Sequence, residues 1–503
     1  MLKTDKRLLY VIAATLLVKL VVAAVLPMTG DEAYFIIWGK HPDFGFYDHT
    51  PMVGWFLTAL LSVSDAALWL RLPQILITTF IGWSIYLLAR RQHEAVAVMV
   101  AVLYLIAPAN IIGVMITTDT PLLLWSFLSA VCFYLAQRHD NGLWYLASGV
   151  LLGLAFFSKF FAGLLGIAYF LYLLFFVRRG WRPWLGLLWV VVGTLPFIGL
   201  NLWWNATHCW DNYLFNLYNR TAGSSFSLRN TWKFLLLVFY LVTPPIVYYM
   251  FRQQRTYRRL LRSDRFSLFM GLFLLPYGLF FILSFWVSIG FHWLLSFYPF
   301  VFLALAPVFS TQQLRRTFWF MLPFTVLHLA FLFVVLGLAP GIFIKNENTY
   351  KDVVYGLYAG EIFQKISQYG PEYVLATDSY TESALLSYAG RKQIIVVGLG
   401  SHHARQDDLL TDFRQLNGKN ILLVSYSPKL QAYGKYFESF EIRPLPIAET
   451  KFYLFLGKGF KYKPYREEII EEVLQRYYRI PDFLPVRGCY MYERYGRPSK
   501  SSD

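Results

Sequence analysis

GDEAYFIIWGKHPDFGFYDHTP, residues 30–51, is where this apolar chain first gathers ionisable side chains. Asp31 and Glu32 follow directly on a hydrophobic run, an aromatic segment comes next, and Tyr47-Asp48-His49-Thr50-Pro51 closes the stretch. Carboxylates set just outside a membrane helix, with an imidazole and a further acid one turn-rich excursion away, can take a proton from a hydroxyl at the water interface. The stretch reads as an active-site loop.

Working outward, 57% of the 503 residues are hydrophobic and only 15% are charged, which excludes a single soluble domain and leaves room for many spans. Apolar runs predict eleven, near 8–28, 70–89, 94–109, 120–136, 143–157, 160–177, 184–202, 231–250, 267–287, 294–309 and 317–339. Numbered from an inside start, the inner loops carry 17 Lys and Arg and the outer loops 4, so the N-terminus is expected in the cytoplasm and the C-terminus outside it. The same bias accounts for the net charge of +16 without nucleic acid. The meeting of two short spans at Ser158-Lys159 is the critical point: were they one bent helix, the C-terminal part would change sides. The first span is expected to stay in the mature protein as an anchor.

The second half of the first outer loop (29–69), Pro51 to Leu70, is expected to lie along the interface as an amphipathic helix, and the aromatic-rich loop 203–230 to lie beside the active face. After Gly341 the composition becomes that of a soluble domain. Helices are expected at 349–369 and 463–478, with strands at 373–377, 393–397, 420–425 and 452–455. The expected fold is therefore a polytopic α-helical membrane domain, 1–340, followed by an extracytoplasmic α/β domain, 341–503. Gly398-Leu399-Gly400 is too incomplete for a nucleotide loop and reads as a turn. Cys132, Cys209 and Cys489 show no metal-type spacing, and no disulfide framework follows from them. Nothing in the sequence requires a metal.

A second acid, Asp119, stands at the next outer turn in Ile116-Thr117-Thr118-Asp119-Thr120-Pro121. It can cap the helix that follows, but a carboxylate placed in hydrocarbon costs about 2.5–3.5 kcal/mol on insertion scales, so an acid adjoining a span is expected to have a chemical role as well. Lys159, within Phe156-Phe157-Ser158-Lys159-Phe160-Phe161, offers a point charge for a lipid phosphate, the alternative being a lysine that merely snorkels. His49, Asp48, Arg71, Asn205, His208, Arg220 and His292 are further candidates to line the cavity. No serine, cysteine or zinc motif competes. Acids that activate hydroxyls, cations that hold phosphate and aromatic platforms for sugars and prenyl chains describe glycosyl transfer from a lipid phosphate.

The motifs Gly30-Asp31-Glu32-Ala33-Tyr34, Phe46-Tyr47-Asp48-His49-Thr50-Pro51, Thr118-Asp119-Thr120-Pro121-Leu122 and Ser158-Lys159 resemble, in order, those of GT-C glycosyltransferases. The resemblance is to the bacterial group that includes the aminoarabinose transferase of lipid A and the protein O-mannosyltransferases. Trp204-Asn205-Ala206-Thr207-His208-Cys209-Trp210, Phe291-His292-Trp293 and Thr377-Asp378-Ser379-Tyr380 resemble later blocks. The resemblance implies an inverting enzyme of the bacterial inner membrane. Its donor would be a polyprenyl-phosphate sugar, the undecaprenyl form in a bacterium, and its acceptor lipid A, another envelope glycolipid or a protein hydroxyl. It implies that Asp31 is the base, with Asp119 assisting at the same site and Glu32 beside it. Thr50 stands where the aminoarabinose transferases have a lysine before proline, which shifts phosphate binding to Lys159, His49 or Arg220. A polyprenyl-linked sugar flippase is the rival of another class. It would place its charges near mid-membrane, whereas these acids cluster at the outer ends.

Overall fold

A computed structural model of the chain describes residues 5–90, 93–177, 180–220, 225–263 and 267–498. Of the inner-loop cations, Lys3, Arg91, Arg178, Arg179 and Arg265 lie outside the described residues. The chain divides into two compact units: residues 1–26, 62–200 and 223–333 form one, and 27–61, 201–222 and 334–503 the other. The soluble-type C-terminal sequence thus shares its unit with the first outer loop and with 201–222.

In the first unit, five helices among the described residues are long and apolar enough to cross a membrane: Lys6–Val25, Ala67–Ala89, Asp119–His139, Arg182–Thr207 and Thr311–Leu338. The last two continue into residues of the second unit. Leu228–Val242 and Pro244–Arg252 form a sixth span if taken together, bent by 94°. The bend has a local cause: Thr243 sits at a left-handed φ of 70° immediately before two prolines, where helical geometry is disfavoured. Every one of the eleven expected apolar segments falls on helix, but Glu94–Ile106, Gly142–Phe156, Ala162–Phe176, Ser267–Leu283 and Phe291–Leu305 are shorter than a full crossing. The segment Tyr298–Leu305 is buried along its whole length.

The turn at Ser158-Lys159 separates two helices that run side by side. Ser148 and Tyr169, each ten residues from that turn, both hydrogen-bond Ser129, at 3.1 and 2.9 Å. Only a hairpin brings those positions to one level. Arg71 is fully buried, and its Nη1 donates to the carbonyls of Ala23 and Leu26 at 2.8 Å each, satisfying the end of the first helix.

The second unit is built on a five-stranded sheet, with β1 Tyr373–Thr377, β2 Ile395–Val396, β3 Asn420–Ser425, β4 Phe437–Ile447 and β5 Thr450–Phe460 in the order β2-β1-β3-β5-β4. The three strands β2, β1 and β3 are parallel, and Tyr380–Gly390 supplies the helical crossover from β1 to β2. The hairpin of β4 and β5 closes the other edge antiparallel. Sequence reading missed β4 because Pro444, Pro446 and alternating charges argue against a strand, and they are tolerated on an edge. It also predicted β5 too short, at 452–455. The expected 463–478 helix is present as a continuous run from Tyr462 to Tyr477 with a π-turn at Arg466–Ile470.

Tyr47, Cys209 and Phe215 belong to the same hydrophobic core as the sheet residues Ala376, Ile421 and Phe455. Contrary to the sequence expectation, Cys209 and Cys489 form a disulfide. They lie 280 residues apart, a separation at which spacing carries no pairing information. Cys132 is free and buried.

Candidate active site

The helix Gly30–Lys40 begins with a capping box: the Thr29 hydroxyl accepts from Glu32 N at 3.3 Å, and Glu32 Oε2 accepts from Thr29 N at 3.2 Å. Glu32 is buried at 1% exposure and takes up its carboxylate in closing this turn. Its neighbour Asp31 faces outward. Gly30 lets the helix approach Tyr380–Gly390 closely, since a Cβ there would meet Thr381 Cβ at 2.6 Å. That approach brings the Tyr380 hydroxyl to Asp31 Oδ1, to which it donates at 3.1 Å.

The Asp31 carboxyl is reached by solvent yet crowded by protein atoms, and this partial desolvation holds its pKa above the ordinary aspartate value. The Tyr380 hydrogen bond opposes the rise, the Asp48 and Glu32 charges add to it, and His49 opposes it. Tyr380 is itself pushed up by burial and by Asp31, so its phenol keeps its proton and acts as the donor. The result is a carboxylate oriented from one side and made more basic by its surroundings.

The 44–50 loop is held from below by amides. Asn212 Nδ2 donates to the carbonyls of Phe46, Tyr47 and His49, the last two at 3.2 Å, and Asn216 Nδ2 donates to Asp48 O at 3.3 Å. Asn205 Oδ1 in turn accepts from Asn212 N at 3.1 Å, so Asn205 acts through Asn212 on the loop. Tyr47 N donates to Gln406 Oε1 at 2.9 Å, and Gln406 N donates to the Tyr34 hydroxyl at 3.2 Å. Gly45 packs against the Trp204 ring, where a Cβ would sit 2.5 Å from Cε3. His208 stacks on the same indole at 4.5 Å and faces Asp43 at 3.7 Å.

Within this frame Asp48 Oδ2 lies 3.5 Å from His49 Nδ1. Asp48 Oδ1, His49 Nδ1 and Thr50 Oγ1 are buried without a hydrogen-bond partner among the described residues. Native interiors satisfy most such atoms, and three in one turn leave hydrogen-bonding capacity that a ligand or water can take up. His403 is close enough to feel Asp48, Arg220, His49 and, most strongly of these, His402; desolvation first and His402 second lower its pKa. The two imidazole centres lie 3.9 Å apart with their planes tilted by 40°, and Phe215 lies 5.3 Å from His403. Phe215 sits on a π-turn, Leu214–Asn219, that ends at Arg220, a backbone irregularity common at functional sites.

Sequence reading missed Tyr380, His402 and His403 as site residues. Tyr380 was present in the Thr377-Asp378-Ser379-Tyr380 block, but its partner lies 349 residues away.

In the first unit Lys159 Nζ meets both oxygens of Asp119, at 3.0 and 2.8 Å. Both side chains are under 10% exposed, at 8% and 6%. Asp119 opens the helix Asp119–His139, where the helix dipole also favours its charge. The Lys159 ammonium further lies 5.3 Å from the Phe161 ring centre. His292 lies in the turn of 3₁₀ helix at Phe291–Phe297. Among the described residues no three His, Cys, Asp or Glu side chains gather as a metal-binding group.

Residues 48–204 match the family model described as dolichyl-phosphate-mannose-protein mannosyltransferase. The lipid A galacturonosyltransferase RgtD of Rhizobium johnstonii is 30% identical over 186 residues, which is 35% of this chain and 38% of that protein. The match thus spans well under half of the relative's own length. Among solved structures, ArnT from Cupriavidus metallidurans in the apo state superposes with a TM-score of 0.61 at 17% identity, covering 89% of this chain and 97% of that one. The same protein bound to undecaprenyl phosphate gives 0.63 at 16% identity, covering 90% and 98%. At these identities the likeness is one of fold.

Proposed function

We propose that this chain, whose fold is that of a GT-C glycosyltransferase, transfers a sugar from a polyprenyl phosphate to an extracytoplasmic envelope glycolipid of the lipid A type, with Asp31 as general base. The observation that carries this reading is the Asp31 carboxylate, oriented by Tyr380 and raised in basicity beside Asp48 and His49. A lipid A galacturonosyltransferase among the relatives and the fold of an undecaprenyl-phosphate-binding protein support the choice of acceptor and donor.

In the proposed step the acceptor hydroxyl oxygen forms a bond to the anomeric carbon as the bond from that carbon to the phosphate oxygen breaks. The hydroxyl proton passes to Asp31 and the phosphate leaves with the electron pair. Attack from the face opposite the phosphate inverts the configuration. The leaving group is a stable anion and needs cations more than a general acid. Arg220 and His49 are assigned to the phosphate or its surroundings. Lys159, fixed by Asp119, is assigned to the donor phosphate, and Glu32, Asn205, Asn212 and Arg71 to holding backbone.

The reading includes eleven crossings, a cytoplasmic N-terminus, an extracytoplasmic domain over 341–503 and a bacterial inner membrane. The disulfide between Cys209 and Cys489 supports that side, because such bonds persist in oxidising compartments. The mannosyltransferase family match favours a protein hydroxyl as the second acceptor.

The test is mass spectrometry of envelope glycolipids and glycoproteins from cells carrying the wild type, Asp31→Asn or an empty vector at matched protein levels. A sugar-sized mass on a glycolipid only with wild type is the expected result; general-base assistance is worth about 100- to 10,000-fold. Wild-type transfer by folded Asp31→Asn would remove Asp31 as the base, and a sugar found on protein alone would move the acceptor.

A further inference from the structure

Outside the carboxyl ends of β1 and β2, the position where open α/β sheets hold ligands, the second unit encloses a cavity of about 330 Å³. Asp378, Ser379 and Tyr380, which directly follow β1, form one wall, and the Gly398-Leu399-Gly400 turn after β2 forms another. Both glycines take positive φ, 86° and 58°, so the turn presents backbone where side chains would intrude. Phe413, Tyr465 and Tyr495 contribute aromatic surface.

The charged groups of this cavity are arranged against phosphate. Arg405 is spent internally: Nε donates to Asp408 at 2.7 Å, Nη1 to the carbonyls of Leu399 and Ser401 at 2.7 and 2.9 Å, and the guanidinium lies 4.4 Å from the Tyr477 ring centre. The Gly398 amide is taken by the Tyr465 hydroxyl at 2.8 Å, which removes the first donor a nucleotide loop would use. Asp407 differs. One of its oxygens accepts from Val396 N, and the other has no partner among the described residues. Burial first, then the Asp408 charge, push its pKa up to about 7, so near neutrality it exchanges between hydrogen-bond acceptor and donor. Hydroxyl groups ask for both roles, and an aromatic wall suits a pyranose face.

We propose that this cavity is an acceptor subsite that takes one uncharged, unphosphorylated monosaccharide unit, with its hydroxyls on Asp407 and Asp378. At about 330 Å³ it stands at the small end of ligand pockets, which run from about 300 to 1,000 Å³, and so suits a single ring. The donor sugar is disfavoured because its phosphate, joined to the ring through a single oxygen, would be carried toward Asp378, Asp407 and Asp408, while the charge of Arg405 is already balanced by Asp408. Tyr380 joins the subsite to the chemistry: it lines the cavity and its hydroxyl holds Asp31. The acceptor assignment rests on the proposed role of Asp31; the sugar site itself does not.

The test is saturation-transfer NMR on the full-length protein in nanodiscs, free of maltoside detergent, with methyl α-mannoside, methyl α-galactoside and glucose 1-phosphate as probes. At least one methyl glycoside should receive saturation from the wild type and equally from Asp31→Asn, and glucose 1-phosphate should receive none. Ser401→Trp, at an exposed rim position, and Asp407→Asn should each weaken the signal about tenfold or more, the loss expected for one charge-assisted hydrogen bond or a blocked mouth. Binding of undecaprenyl phosphate by both variants shows that they are folded. No saturation of either glycoside by a wild type that binds undecaprenyl phosphate overturns the proposal, as does a signal unchanged in both folded variants or an equal response to glucose 1-phosphate. Glycoside binding that follows this pattern, together with full transfer by Asp31→Asn, overturns the base assignment and leaves the sugar site standing.

Discussion

Replacing Lys159 by Met, Asp119 by Leu, and both together separates what the buried ion pair does for stability from what it does for chemistry. At 2.8 Å the attraction between unit charges is about 6 kcal/mol at an effective dielectric of 20, and removing each ion from water costs several kcal/mol, so the intact pair is close to break-even. Deleting one partner is another matter. It leaves a single charge with side-chain exposure of 8% or less, a situation that costs about 3–5 kcal/mol. The two single losses therefore add to about 6–10 kcal/mol, while the double variant should stay within about 1 kcal/mol of wild type, the remainder being the lost charge at the Asp119 helix start. Unfolding in mixed micelles titrated with dodecyl sulfate, followed by the fluorescence of the 16 tryptophans, reads all four corners of the cycle. A double variant as unstable as the summed singles would refute the pairing. A stable double variant that still transfers sugar at the wild-type rate would leave the pair structural and remove Lys159 and Asp119 from the reaction.

Tyr380→Phe removes the interaction that lowers the Asp31 pKa, so the pKa rises. A base works as its carboxylate, and activity falls as pH drops through its pKa; the acid limb of kcat/KM should therefore move to higher pH, and an unmoved limb would refute the positioning role of Tyr380. Blocking free thiols in intact cells, then denaturing with or without reductant before maleimide labelling, should count one thiol without reductant, Cys132, if it escapes the block, and two more with it. Recovery of no additional thiols on reduction would place Cys209 and Cys489 in a reducing compartment. Cys209→Ser with Cys489→Ser should cost about 2–4 kcal/mol of unfolding stability and lower activity, because Cys209 adjoins the segment whose Asn212 holds the 46–49 backbone.

The legible part of this protein was whatever is local in the chain. Apolar runs found the helices, whereas 30–51 read as a loop and the helix Gly30–Lys40 that carries the proposed base was missed, although the Thr29-Gly30-Asp31-Glu32 capping box that starts it is local in the chain. Strands β1 and β3 were legible because buried parallel strands are continuous apolar runs. The edge strand β4 was not, since its prolines and charges are permitted only by its position in the sheet. The same distinction runs through the candidate site. Asp31, Asp48 and His49 share one loop and announce themselves together, whereas Tyr380, His403 and Cys489 enter by tertiary closure over hundreds of residues.

Tertiary context also decided which candidate polar groups still face open space. Glu32, Asn205 and Arg71 looked as available in sequence as Asp31, yet each satisfies a neighbouring backbone group, two of them at less than 1% exposure. Burying a polar group without a partner costs about 1–3 kcal/mol, so interior polar side chains such as these gain by bonding to their own backbone. The groups that escape this commitment are the informative ones. At the two candidate sites they are the outward Asp31, the unpartnered atoms of Asp48, His49 and Thr50, and the second oxygen of Asp407. These belong to the unit that joins the first outer loop to the C-terminal sheet, and other unpartnered buried atoms, such as Gln74 Oε1 and Ser296 Oγ, lie in the first unit. A domain that served only as a partner-binding appendage would have no reason to donate Tyr380 to a carboxylate 349 residues upstream. Its sheet places that tyrosine at the carboxyl end of β1, between the proposed base and a cavity of sugar-ring size, which is the arrangement expected if the domain presents an acceptor hydroxyl to Asp31.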